Sequence, residues 1–157
     1  MPNKELKPKE GLAKAIDFAA IFDNMTQPMT IAAAEKPNPL IYVNDAYCQL
    51  TGYSREELIG KNPGFLQGPN YSKQRELIRD GMNSDKPIDV LVLNYKHDGS
   101  EFWNELHIHS VLIDGERAFY VGMARDVTER VTKNIESINT TISIIQEFKE
   151  RLKDSVY

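Results

Sequence analysis

The sequence predicts an α+β fold, an antiparallel five-stranded sheet with short helices on one face, an N-terminal helix leading in and a long C-terminal helix leading out. Three observations carry that prediction. Two alternating segments, residues 88–95 and 101–110, flank Asp98-Gly99, a strong hairpin signal. Between Asn44 and Met82, short apolar stretches are punctuated by helix caps and glycines. From Thr128 onward no proline or glycine interrupts the chain, and its apolar residues recur in alternating steps of three and four.

Bulk properties fit one domain plus an appended element. A chain of 157 residues with 41% hydrophobic and 9% aromatic content can bury a real core. The net charge of −4 is spread along the chain without a basic block, so neither nucleic acid nor an anionic membrane is an expected partner. Cys48 is the only cysteine, which rules out an intrachain disulfide. With neither a signal peptide nor a long apolar span in view, a cytoplasmic location is the expectation.

Residues 1–24 read as a charged, proline-bearing tail followed by an amphipathic helix, because Leu12, Ala15, Ile16, Ala19, Ala20 and Phe22 recur at helical spacing. A core spans residues 25–127. Within it Pro28 stops the helix, and residues 29–33 and 40–43 form a strand pair around a turn containing Pro and Asn. Asn44 caps a short helix that Gly52 ends, and Ser54 with Glu57 has capping-box spacing for the next. Cys48, on the first of these helices, reads as a small packed residue. Ser72 caps a longer helix through Met82, with Leu77, Ile78 and Met82 as its core face.

Register in the hairpin decides where two amides point. A two-residue loop at Asp98-Gly99 pairs Asn94 with Trp103 and puts Asn94 and Asn104 on opposite faces. A three-residue loop, Asp98-Gly99-Ser100, pairs Asn94 with Asn104 and puts both on one face, with Val90, Val92, Phe102, Leu106 and Ile108. Buried there, the amides need partners, since an unsatisfied one costs on the order of 1–3 kcal/mol; each other or water are the simple choices. The next strand, residues 118–126, adds Phe119, Val121 and Met123 to Leu91, Leu93, Tyr95 and Trp103 on the opposite face, which is then too apolar for open solvent, so a helix or second subunit should cover it. His107 and His109 share a face, but no third metal ligand is evident. In residues 128–157, Val131, Ile135, Ile138, Ile142, Ile145, Leu152 and Val156 occupy heptad a and d positions, with Lys149 interrupting the seam. Either a coiled coil or a helix folded back on the sheet satisfies that stripe.

The stretch Gly60-Lys61-Asn62-Pro63-Gly64-Phe65-Leu66-Gln67-Gly68-Pro69 carries two amides and three glycines but no carboxylate or nucleophile. It reads as a ligand-facing wall able to address the edge of a heterocycle, or as a tight connection whose amides bind nearby backbone. This stretch resembles the flavin-facing signature of LOV domains, the blue-light branch of the PAS superfamily. The resemblance extends through Asn38–Asn44, Leu50-Thr51-Gly52-Tyr53, Asn94-Tyr95, Phe102-Trp103-Asn104 and residues 126–130. It implies a PAS fold holding FMN, or else riboflavin or FAD. By position, Asn94 and Asn104 would bond the ring's pyrimidine edge, which favours the three-residue loop. Asn62 and Gln67 would reach the ribityl chain, and Phe65 and Leu66 would help form the pocket. Arg79, with Arg75 as the fallback, would hold the phosphate.

Three positions depart from the family pattern. Pro63 stands where the adduct-forming cysteine belongs, Gly64 where a first phosphate-binding arginine belongs, and Ala124 where a signal-relaying glutamine belongs. The loss at Gly64 amounts to roughly 1.5–3 kcal/mol, or about one to two decades of affinity. The expected function is a sensory module that binds flavin without adduct photochemistry and passes redox state, photoreduction or occupancy to its C-terminal helix. It would work as a homodimer through the N-terminal helix, the outer sheet face and the C-terminal helix, with an effector domain beyond Tyr157. The alternative is a PAS dimerisation domain with an empty or differently filled pocket. No catalytic triad, metal cluster, carboxylate pair or phosphate loop points to an enzyme.

Overall fold

The computed structural model describes residues 18–68, 72–84 and 86–154. Five strands form one antiparallel sheet: β1 (Met29–Ala33), β2 (Leu40–Val43), β3 (Ile88–Tyr95), β4 (Glu101–Ile113) and β5 (Glu116–Asp126), in the order β2-β1-β5-β4-β3. Between β2 and β3 the chain makes α2 (Asp45–Thr51), α3 (Arg55–Leu58), a 3-10 turn (Pro63–Gln67) and α4 (Ser72–Asn83). A short α1 (Phe18–Asp23) precedes the sheet and a long α5 (Thr128–Asp154) follows it. The expected N-terminal stripe at Leu12, Ala15 and Ile16, and Val156 of the heptad, lie outside the described residues.

Local chemistry accounts for the helical connection. Asn44 caps α2 by accepting the Tyr47 amide, and Gly52 ends it at φ 76°. Ser54 and Glu57 form the reciprocal capping box on α3. Asn44 is fully buried and does more than cap: its Oδ1 also accepts Met29 N, and its Nδ2 donates to the carbonyls of Phe22 and Gln27. One amide thus ties α1, β1 and α2 together. Helix α1 docks through Asp23, which accepts from Tyr42 Oη at 2.8 Å and from Arg55 at 2.7 Å, while Phe22 packs on the Tyr42 ring.

The hairpin register is neither of the two alternatives. Asn94 pairs with Phe102, and Asn104 with Val92. Gly99 takes φ 83° and the Gly99 amide donates to Lys96 O, so the loop is His97-Asp98-Gly99, a type I turn closed by a left-handed glycine. The glycine must come last, which moves the loop one residue toward the N-terminus. The pairing shifts by two, so both amides still share a face. A second Asp-Gly turn, Asp114-Gly115, has both residues at positive φ and extends β4 and β5 beyond the expected ends.

Helix α4 differs from its expected packing. Leu77 is 56% exposed, whereas Ile78 and Met82 face inward. Gly81 explains the helix's orientation, because a Cβ there would stand 2.4 Å from Ile88 Cγ1 and force α4 off the edge of β3. Nor does α5 fold back. Beyond its first turn the helix is exposed, Ile138 at 58% and Leu152 at 62%. Among the described residues no helix is long and apolar enough to cross a membrane.

Candidate functional site

The inner sheet face and the helical layer enclose a cavity of about 610 Å3, a size typical of small-molecule and cofactor sites. Asn94 and Asn104 stand at one end, both buried. As diagonal neighbours they bond each other, Asn104 Nδ2 donating to Asn94 Oδ1 at 2.9 Å. Asn104 Oδ1 accepts the Arg125 amide at 3.2 Å, and Asn94 Nδ2 donates to Leu93 O at 3.3 Å. No buried side-chain polar atom among the described residues lacks a partner.

The 3-10 turn forms the facing wall. Gln67 is buried, and its Oε1 accepts Arg75 Nε at 3.4 Å while Arg75 Nη2 donates to Gly68 O at 2.6 Å. Gly68 has φ 64°, and a Cβ there would lie 2.7 Å from Tyr95 Cε2, so the turn presses against the end of β3. Tyr95, expected on the outer sheet face, therefore spends its ring on this wall. At the other end of the turn Asn62 accepts Gly64 N at 2.8 Å and donates to Pro37 O.

Asn62, Pro63, Phe65, Gln67, Arg79, Asn94 and Asn104 all line the cavity. Leu66 and Ala124 instead pack within the adjoining core cluster. Phe65 meets Tyr53 edge-on at 5.3 Å, and Arg79 lies 3.3 Å from Asp80 on the exposed side of α4. Cys48 is not a lining residue; it sits half-buried against the core, and burial raises its thiol pKa. Lys36, Asn38, Asn83, Arg117 and Tyr120 line the cavity without having been singled out from the sequence. The overlooked Asp114-Gly115 turn was the available signal for Arg117, since it starts β5 two residues earlier.

Two hydrogen-bonded junctions leave the site. The Ala124 carbonyl accepts Gln27 Nε2 at 2.6 Å, which joins β5 to the segment held by Asn44. At the other junction, Glu105 bonds Arg130 of α5 at 2.7 Å and lies 3.6 Å from Arg125. The Arg130 guanidinium, chiefly, holds the Glu105 carboxyl below its ordinary pKa. Thr128 Oγ1 accepts Trp103 N at 2.9 Å, and Val127 N donates to Trp103 O at 2.8 Å, so the first turn of α5 is bound to β4. His107 pairs with Asp89 across the hairpin, and no group of three or more His, Cys, Asp or Glu among the described residues could hold a metal.

Comparison with known proteins matches a PAS domain model over residues 26–129. A blue-light-activated histidine kinase of Brucella anthropi is 39% identical over 126 residues, which cover 78% of this chain and 26% of that protein. Among solved structures, the LOV domain of an Erythrobacter litoralis blue-light activated histidine kinase superposes with a TM-score of 0.63 at 32% identity, covering 67% of this chain and 99% of that one. An RNA-binding light-oxygen-voltage receptor reaches a TM-score of 0.76 at 31% identity, over 89% of this chain and 40% of that one. RNA binding thus occurs among the structural kin, so the charge argument against nucleic acid speaks only of this chain's composition. The chain spans between 17% and 56% of the length of the most similar curated relatives. With its five-stranded sheet, its walled cavity and these relatives, the chain belongs to the PAS domain family, in the light-oxygen-voltage branch.

Proposed function

We propose that the chain is a sensory module that binds a flavin non-covalently and transmits its state through α5, with no covalent bond to a cysteine. The observation that supports it best is the pair Asn94 and Asn104, two buried amides at the end of a cofactor-sized cavity. The residues fit the group. Donor and acceptor amides suit the ring edge, Gln67 and Asn62 suit a polyhydroxyl chain, and Arg79 suits a phosphate. A bound flavin absorbs blue light and accepts electrons. Pro63 offers no thiol from the facing wall, and the chain's sole cysteine lies outside the lining.

Asn104 also provides a route outward. Its Oδ1 holds the Arg125 amide, and Arg125 shares Glu105 with Arg130 of α5. A ligand that rebonds Asn104 therefore acts on the strand that anchors the helix. A coupling of about 1–3 kcal/mol is enough for a useful signal. The exposed stripe Ile135, Ile138, Ile142 and Ile145 supports a homodimer through α5, and an effector domain following the helix would receive the signal.

The test is the visible absorption and fluorescence of the purified protein, with flavin assayed after heat release. A structured blue band that Asn94→Leu with Asn104→Leu abolishes is the expected outcome; unchanged uptake in that variant overturns the pocket assignment. The mutual bond between the two asparagines favours a second reading, a PAS dimerisation domain whose amides serve structure alone. A colourless protein that refuses added flavin would select it.

A further inference from the structure

Among the described residues the charged groups of the cavity lining are all basic. Although the chain carries 23 acidic against 19 basic residues, the described lining holds Lys36, Arg75, Arg79 and Arg117. Hydrogen bonds locate these cations. Arg75 is committed to Gln67 and Gly68 on the wall that presses against β3. The other three gather elsewhere. Ala34 N donates to Ala118 O at 3.0 Å, which sets the start of β5 beside the β1–β2 connection that bears Lys36. Arg117 Nη1 donates to Tyr120 Oη at 3.1 Å, and Tyr120 Oη reaches Met82 O at 3.5 Å, which sets Arg117 beside the last turn of α4, the helix that also bears Arg79. Asn62 donates to Pro37 O, so Gly64 borders the same end.

We propose that Arg117, together with Arg79, anchors the terminal phosphate of the flavin mononucleotide expected in this site, in place of the arginine missing at position 64. This rests on the flavin reading above. The guanidinium of Arg117 lies 5.6 Å from the centroid of the Tyr120 ring, which is buried, so the side chain is held over a fixed aromatic surface. A planar fork held in this way loses little freedom on meeting a phosphate. Lys36 adds a more mobile charge at the rim. Arg117 is thus a specificity-determining residue, one that distinguishes phosphorylated from unphosphorylated flavin and contributes nothing to ring recognition.

The experiment titrates the flavin-stripped full chain with riboflavin and with FMN, followed by quenching of flavin fluorescence. The wild type should prefer FMN by about 10- to 100-fold, and raised salt should narrow that preference. Arg117→Gln should lose about tenfold in FMN affinity with riboflavin binding unchanged, and Arg117→Lys should recover part of the loss. Arg75→Gln should weaken both ligands alike. An FMN-to-riboflavin ratio that Arg117→Gln leaves as in the wild type overturns the anchor while the flavin pocket stands. Equal losses for both ligands in Arg117→Gln would also overturn it, by showing that the residue acts through cavity shape. Failure of the wild type to bind either flavin overturns the pocket and the anchor together.

Discussion

At the scale of single residues, the wall of the cavity depends on side chains that hold backbone as well as face the ligand space. Asn62 caps the 3-10 turn through Gly64 N, and a Cβ at position 64 would come within 2.9 Å of its Oδ1. An arginine there would have to displace that cap, so the missing phosphate ligand and the conformation of Asn62 are linked. Pro63 occupies the first position of the turn, where a missing N–H costs nothing. Pro63→Cys should therefore fold with a loss of no more than about 1 kcal/mol. If flavin is bound, blue light should bleach its absorption in this variant and darkness should restore it. Bound flavin that stays unbleached would mean that position 63 stands too far from the ring. The sequence made the amides legible by residue type and parity. The partner of Asn94 was not legible, because the position of a left-handed glycine within a loop moves the register without moving the face.

At the scale of elements, caps and turns were readable where one residue type has one use. Asn44, Gly52, Ser54 and Glu57 all do what their spacing implies. Leu77 shows where such reading stops, since the angle at which α4 meets β3 is set by Gly81 against Ile88, a contact between residues whose partnership only the fold creates. The docking of α1 is similarly tertiary. Arg55 chiefly holds the Asp23 carboxyl below its ordinary pKa of 3.8, while burial and then the bond to Asp23 push Tyr42 up to about 12. A carboxylate whose folded pKa is lowered stabilises fully above its unfolded value, and the contribution disappears as the pH falls through the folded one. The urea midpoint of the wild type should therefore exceed that of Asp23→Asn above about pH 4, and the gap should close on further acidification. A gap independent of pH would show that Asp23 acts through the geometry of its hydrogen bonds and not through its charge.

At the scale of the whole molecule, the proposed work of holding, binding and reporting falls to the sheet, the cavity and the emergent helix. The sheet order and the long helix were foreseeable because periodicity and family likeness agree on them; the basic end of the cavity was not, because Lys36, Arg79 and Arg117 come from three separated segments. The exposed isoleucines of α5 set the expected assembly. Each is worth about 1.5–3 kcal/mol when buried, so Ile138→Lys with Ile142→Lys should weaken the dimer at least 100-fold and yield monomers in light scattering. A dimer that survives the pair would implicate the sheet's outer face or α1. Beyond Ile145 the apolar stripe forks. The heptad continues through Lys149, while the exposed Phe148, three residues after Ile145 and four before Leu152, offers a second seam roughly 100° around the axis. In the expected dimer, two such helices would meet through either seam, at different rotations about their axes. A helix of this kind suits a signal written as torque, passed along a shaft whose length stays constant.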